Sequence, residues 1–130
     1  MSIDPGDYYR AAEQLSRRQP LVDEVRHRTV AGRAYYAAFL ATRDAIKRVH
    51  HLGEEYSPRH DTFCDQLARY RTEPEVSKLG HRLHALRLRR VEADYKLRAT
   101  VREDDADLSM EDADSILRAL PGLEARLPRI

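Results

Sequence analysis

Tryptophan is missing from this chain, cysteine occurs once, lysine occurs three times, and the longest uncharged run, AYYAAFLAT, covers only residues 34–42. Each shortage removes a class of protein. A run of that length is too short to cross a bilayer, and MSIDPGDYYR at the start has no apolar stretch of signal-peptide length, so the expectation is a cytoplasmic chain without membrane contact. Cys64 alone cannot close an internal disulfide, which agrees with a reducing compartment. There is no glycine-rich phosphate loop and no G-x-S-x-G elbow, and Cys64 lacks a nucleophile context. His50, His51, His60 and Cys64 match no zinc-ligand spacing, so neither a metal nor another cofactor is expected. Nor does any segment alternate with period two, which excludes a sheet from the expected fold.

What remains is helical and charged. With 42% hydrophobic and 35% charged residues over 130 positions, the chain has the composition of one ordinary folded domain rather than of a disordered segment. Its net charge of +1 hides an asymmetry: residues 103–130 hold eight acidic and three basic side chains, leaving residues 1–102 with six more basic than acidic. Such a body permits a polyanionic partner, and equally permits a plain solvated surface. Arginine makes up 20 of the 23 basic residues; it suits bidentate phosphate contacts, though codon bias would give the same count.

Punctuation and periodicity predict the elements. Asp4-Pro5 opens a first helix that Pro20 interrupts, and Val22, Val25, Tyr35, Phe39, Thr42, Ile46 and Val49 recur at steps of three and four along a long second helix, with Gly53 as its stop. Ser57-Pro58 reads as the start of a third, with Phe63, Leu67 and Tyr70 on one face. The fourth runs from about Pro74 to Ala99 on Val76, Leu79, Leu83 and Leu86, weakened but not broken by Gly80. Thr100 to Leu108 reads as an acidic linker, and Ser109 with Asp112 as the capping box of a short fifth helix stopped by Pro121. The expected fold is all-α: an up-and-down four-helix bundle with an additional short C-terminal helix, in a single domain 1–130 whose core is 7–100.

The fourth helix carries an anomaly. Continuing its seam past Leu86 places Arg90, Ala93 and Leu97 on the core-facing stripe. An unpaired guanidinium buried there would be costly, so Arg90 is either paired or set at a groove, and Asp94 lies four residues on, within reach on the same face. Two readings stand: a structural ion pair that fixes helix register, and an anion site with the Tyr95 hydroxyl near it. A second unusual stretch is GRAYYAAFLA, residues 32–41, uncharged all round from Ala34, which implies burial either in the bundle centre or against another subunit. Arg33 at its edge reads either as a snorkelling cation or as a site residue.

GRAYYAAF in the second helix together with RRVEADY in the fourth resembles HEPN domains, specifically a short stand-alone prokaryotic branch with similar R-A-Y-Y and R-x-x-A-D-Y signatures, and RHDTF sits where that branch often has a histidine-led helix start. The resemblance spans residues 7–100, its specific part about fifteen residues. It implies a homodimer in which an arginine holds the scissile RNA phosphate and a histidine, after four to six intervening residues, moves protons, without a metal. Carried over, the arginine is Arg90, with Asp94 beside it, and the histidine position falls at Tyr95. That is a departure, because tyrosine titrates near 10 and makes a poor base at neutral pH. The chain's one arginine followed by a histidine at five to seven places, Arg43 with His50, carries no weight against chance.

Two functions follow as expectations. One is an RNA-directed protein, a metal-independent endoribonuclease of a toxin–antitoxin or defence system, with Arg90, Asp94 and Tyr95 as catalytic candidates, Arg33, Arg87 and Arg89 as phosphate contacts, and Tyr36, Ala37 and Leu40 as the dimer interface. The other is a non-catalytic module that dimerises and binds a cognate antitoxin or a nucleotidyltransferase. A third reading is a helical assembly protein in which Arg90 and Asp94 are only a structural pair. His60, His81 and His84 lie on elements from which they could approach the arginine.

Overall fold

Proline starts two of the helices, as read from the sequence. A computed structural model describes residues 4–17, 23–96 and 100–130, and among them the chain is all-α, with five helices and no strand. Helix α1 spans Pro5–Arg17, α2 Asp23–His50, α3 His60–Ala68, α4 Pro74–Tyr95 and α5 Glu103–Leu123, followed by a 3-10 turn at Glu124–Arg126. The expected end of helix four at Ala99 and its seam residue Leu97, like Pro20 and Val22, lie outside the described residues. None of the helices is long and apolar enough to cross a membrane.

Helix α2 is the axis of the packing: α1, α4 and α5 all lie against it, and α3 lies against α4. This explains its uncharged stretch. Ala34, Tyr35, Ala37 and Ala38 are all at 0% exposure within the single chain, so burial in the centre of one subunit suffices to exclude charge from this segment. The core joins Tyr35, Phe39 and Ile46 of α2 to Phe63 and Leu67 of α3, Val76, Leu79, Leu83 and Leu86 of α4, and Ile116 and Leu120 of α5.

Three helices differ in their bounds from the sequence reading. Helix α3 begins at His60 rather than at Ser57-Pro58: Arg59 is extended at φ −73° and ψ 130°, and its carbonyl accepts the first helical bond from Phe63 at 2.8 Å. Burial of Phe63, Cys64 and Leu67 sets that register, and Tyr70 falls beyond the helix end. Helix α5 begins at Glu103, so the supposed acidic linker is helix. Three acidic side chains in its first turn complement the positive end of the dipole, the Asp105 carboxylate accepts the Arg102 N–H at 2.9 Å, and Ala106, Ser109, Ala113, Ile116, Leu120 and Leu123 form one buried stripe. Pro121 lies inside that helix instead of stopping it.

The third difference is the end of α2, which closes at His51, not at Gly53. His51 takes φ 54°, Leu52 N–H donates to the Lys47 carbonyl at 2.9 Å, and His51 N–H reaches the Arg48 carbonyl at 3.4 Å, the paired bonds of a Schellman turn. A side chain with a Cβ is disfavoured in that left-handed conformation, and His51 is exposed. His51→Gly is therefore expected to stabilise the fold by about 1 kcal/mol, raising Tm by roughly 2–4 °C in a thermal melt.

Candidate active site

Tyr35 and Tyr36 are consecutive on α2, His60 opens α3, and Arg90 lies one turn beyond Leu86 on α4; the fold brings the four together. Adjacent helical residues point about 100° apart, so Tyr35 is wholly buried while Tyr36 is only partly covered and looks toward α4. Arg90 occupies the seam as its spacing predicts. Its side chain is 15% exposed; Nε donates to Asp94 Oδ2 at 2.9 Å and one terminal nitrogen, Nη2, donates to the Tyr36 hydroxyl at 2.6 Å. The guanidinium carbon stands 4.8 Å from the Tyr36 ring centre, 5.9 Å from that of Tyr35 and 5.6 Å from that of Tyr95. A carboxylate on one edge and three aromatic rings around it offset the desolvation of the cation. The other terminal nitrogen, Nη1, bonds to no described residue and is not among the buried unsatisfied atoms, so it opens to solvent.

His60 borders the same ring. It stacks on Phe39 with centres 3.9 Å apart and planes 20° apart, and meets the Tyr36 ring nearly edge-on at 6.1 Å and 84°. Its Nδ1 lies 2.6 Å from the Tyr35 hydroxyl, which also interacts with the Cys64 thiol. Burial pushes the Tyr35 phenol far above its usual range and the Cys64 thiol up to about 11, so both stay protonated at neutral pH. Two tautomers satisfy the contact. Either Tyr35 donates to Nδ1, or Nδ1–H donates to the Tyr35 oxygen while the phenol proton turns to Cys64 Sγ. In both, Nε2 is the outward nitrogen: it has no partner among the described residues and is not buried unsatisfied.

The electrostatics favour a neutral imidazole. Burial lowers the His60 pKa below its ordinary 6.5, the charges of Arg90 and Arg87 lower it further, and Asp61 opposes them. Arg87, one turn before Arg90, is half-buried and has no hydrogen-bond or carboxylate partner among the described residues. The site thus holds two cations, one of them unpaired, a neutral imidazole with an outward nitrogen, and a phenol, Tyr36, that accepts from Arg90 and keeps its own proton to donate. This set can bind a phosphate, stabilise charge that develops on it, and take up a proton beside it.

Other residues singled out from the sequence sit elsewhere. Arg89 turns to α5 and pairs with Asp112 at 2.6 Å, both side chains largely covered. Arg33 is exposed on α2, beside Tyr36 along a neighbouring groove. Tyr95 is 67% exposed, with its ring folded back toward Arg90. Ala37 is covered within the chain, while Leu40 and Tyr36 are partly covered and pack on the core. Among the described residues no three His, Cys, Asp or Glu side chains gather as a metal site. Comparison with family models, with curated proteins and with solved structures finds no match to this chain.

Proposed function

We propose that this chain is an RNA-directed, HEPN-like protein that cleaves RNA without a metal, Arg90 holding the scissile phosphate and His60 doing the work of the histidine that Tyr95 replaces. The observation that carries the reading is the pair of outward nitrogens, Arg90 Nη1 and His60 Nε2, on two side chains that both border the Tyr36 ring. With Nδ1–H donating to the Tyr35 oxygen, His60 presents a lone pair at Nε2 and takes the proton of a ribose 2′-hydroxyl. The 2′-oxygen attacks the adjacent phosphorus, charge on the phosphoryl oxygens is met by Arg90 and the Tyr36 hydroxyl, and the bond from phosphorus to the 5′-oxygen breaks. The departing oxygen takes a proton from solvent. The products are a 2′,3′-cyclic phosphate and a 5′-hydroxyl. Asp94 fixes the guanidinium plane, Tyr95 flanks it, and Arg87 adds positive potential for the incoming backbone.

In this reading the helices form the up-and-down arrangement of that family, and a second copy adds to α4, where Leu88 and Tyr95, seven residues apart on one face, are 50% and 67% exposed. The same face would serve a protein partner in the interaction-module reading, whether an antitoxin or a nucleotidyltransferase. The deciding experiment is incubation of purified protein with cellular RNA in excess EDTA, with the new ends identified. Cyclic phosphate ends that are lost with Arg90→Ala and kept with Tyr95→Phe are expected. No cleavage by folded protein would leave the interaction module as the better reading.

A further inference from the structure

A groove of about 450 Å³ adjoins the site and shares two of its walls: Tyr36 and Asp94 line it together with Tyr8 of α1 and Val25, Gly32 and Arg33 of α2. That volume lies within the range of small-ligand pockets, roughly 300–1,000 Å³. Its chemistry is mixed in a particular order. Tyr8 and Tyr36 stand with ring centres 6.1 Å apart and planes inclined at 35°, giving an aromatic wall. Val25, 53% exposed, adds an apolar surface. Arg33 is an exposed cation without a hydrogen-bond or ion-pair partner among the described residues. The far wall is rigid: Arg28, which also lines the groove, donates to the carbonyls of Glu92, Ala93 and Lys96 at 3.2, 2.9 and 3.3 Å and so ties α2 to the end of α4.

We propose that this groove is a nucleobase subsite for single-stranded RNA: the base of a nucleotide neighbouring the scissile phosphate lies against Tyr8 and Tyr36, Arg33 contacts the next backbone phosphate, and Asp94 selects bases that carry an amino group. The inference rests on the phosphate-site reading of Arg90 and His60 and extends it from a phosphate to a strand. Aromatic faces beside a cation are the usual means of holding single strands. The selectivity follows from Asp94. Its Oδ2 is taken by Arg90 Nε, whereas Oδ1 is directed toward Gly32, where a Cβ would stand 3.6 Å away. A carboxylate oxygen only accepts, so it pairs with the amino group of cytosine, adenine or guanine, whereas uracil offers it a carbonyl at the equivalent place. Gly32 keeps this end of the groove open.

The test uses fluorescein-labelled A6, C6 and U6 hexamers with 2′-fluoro sugars, which lack the attacking hydroxyl, and measures binding by anisotropy at several salt concentrations. Wild type is expected to bind C6 about fivefold more tightly than U6, a preference lost with Asp94→Asn. Tyr8→Ala lowers A6 affinity about tenfold. Arg33→Ala weakens all three hexamers and reduces the salt slope by about one phosphate. Gly32→Leu fills the groove from a position where a Cβ meets only Asp94 Oδ1, so the fold is retained in a thermal melt while A6 affinity falls about tenfold. If the Tyr8, Arg33 and Gly32 variants all bind as wild type while Arg90→Ala does not, the subsite is wrong and the phosphate site stands. If Arg90→Ala also binds as wild type, or wild type binds no hexamer, both fall.

Discussion

Replacing His60 by glutamine is expected to slow RNA cleavage about 10³-fold, within the range for loss of a general base, while the protein stays folded. Glutamine keeps an oxygen that can accept from the Tyr35 hydroxyl, so the contact to α2 survives and the titrating nitrogen does not. Arg90→Ala is expected to cost about 10²-fold by removing a cation from the developing charge. The pH profile separates His60 from a residue that merely positions others. Burial and the charges of Arg90 and Arg87 hold the imidazole below 6.5, so the basic form persists into mildly acid solution and the rate falls only as pH drops through that lowered value. In His60→Gln the limb vanishes and the residual rate loses this dependence. Stability follows the same sign. Above pH 6.5 the imidazole is neutral both folded and unfolded; between 6.5 and the lowered value the unfolded chain binds a proton that the folded chain does not, so the fold loses stability as pH falls across that window. A wild-type rate with no acid limb for the glutamine variant to lose, or a glutamine variant that cleaves normally, would place the base elsewhere.

Half of that site was legible in the sequence. Arg90 fell on the seam because the spacing from Leu79, Leu83 and Leu86 is local, and its pairing with Asp94 is a four-residue relation on one helix. The contact between Tyr35 and His60 spans 25 residues and two helices, and no periodicity encodes it. The available signals were a histidine placed just after Ser57-Pro58, and two tyrosines side by side on a helix that buries only one of them. From the sequence Tyr36 reads as an interface residue, because an uncharged stretch cannot say whether its own chain or another covers it. The acidic start of α5 misled for a related reason. EDDAD looks like a solvated linker by composition, yet carboxylates in a first turn are what a helix N-terminus favours, and the buried stripe that holds it begins only at Ala106.

Gly80 gives the sharpest stability prediction, since two elementary arguments about it differ in sign. Helix propensity alone says that alanine there should stabilise α4 by about 1 kcal/mol. Packing says the reverse. A Cβ on Gly80 would lie 2.2 Å from the amide nitrogen of Ala68 and 2.5 Å from the carbonyl carbon of Leu67. These are backbone atoms at the end of α3, so no rotamer change can make room, and the two helices must part. Parting them loosens Phe63 and Leu67 against Val76, Leu79 and Leu83, and stretches the 2.6 Å bond from the Ser77 hydroxyl to the Ala68 carbonyl. Gly80→Ala is expected to destabilise the protein by about 3 kcal/mol, at the upper end for overpacking, and to lower Tm by roughly 10 °C. Because α3 also carries His60, the displacement reaches the site, and cleavage should weaken at temperatures where the variant is still folded. Gly32→Ala is the matched control: its Cβ would meet only Asp94 Oδ1, at an ordinary 3.6 Å, so propensity wins and Tm rises. Equal and positive shifts for the two alanines in parallel melts would mean that α3 and α4 do not approach this closely.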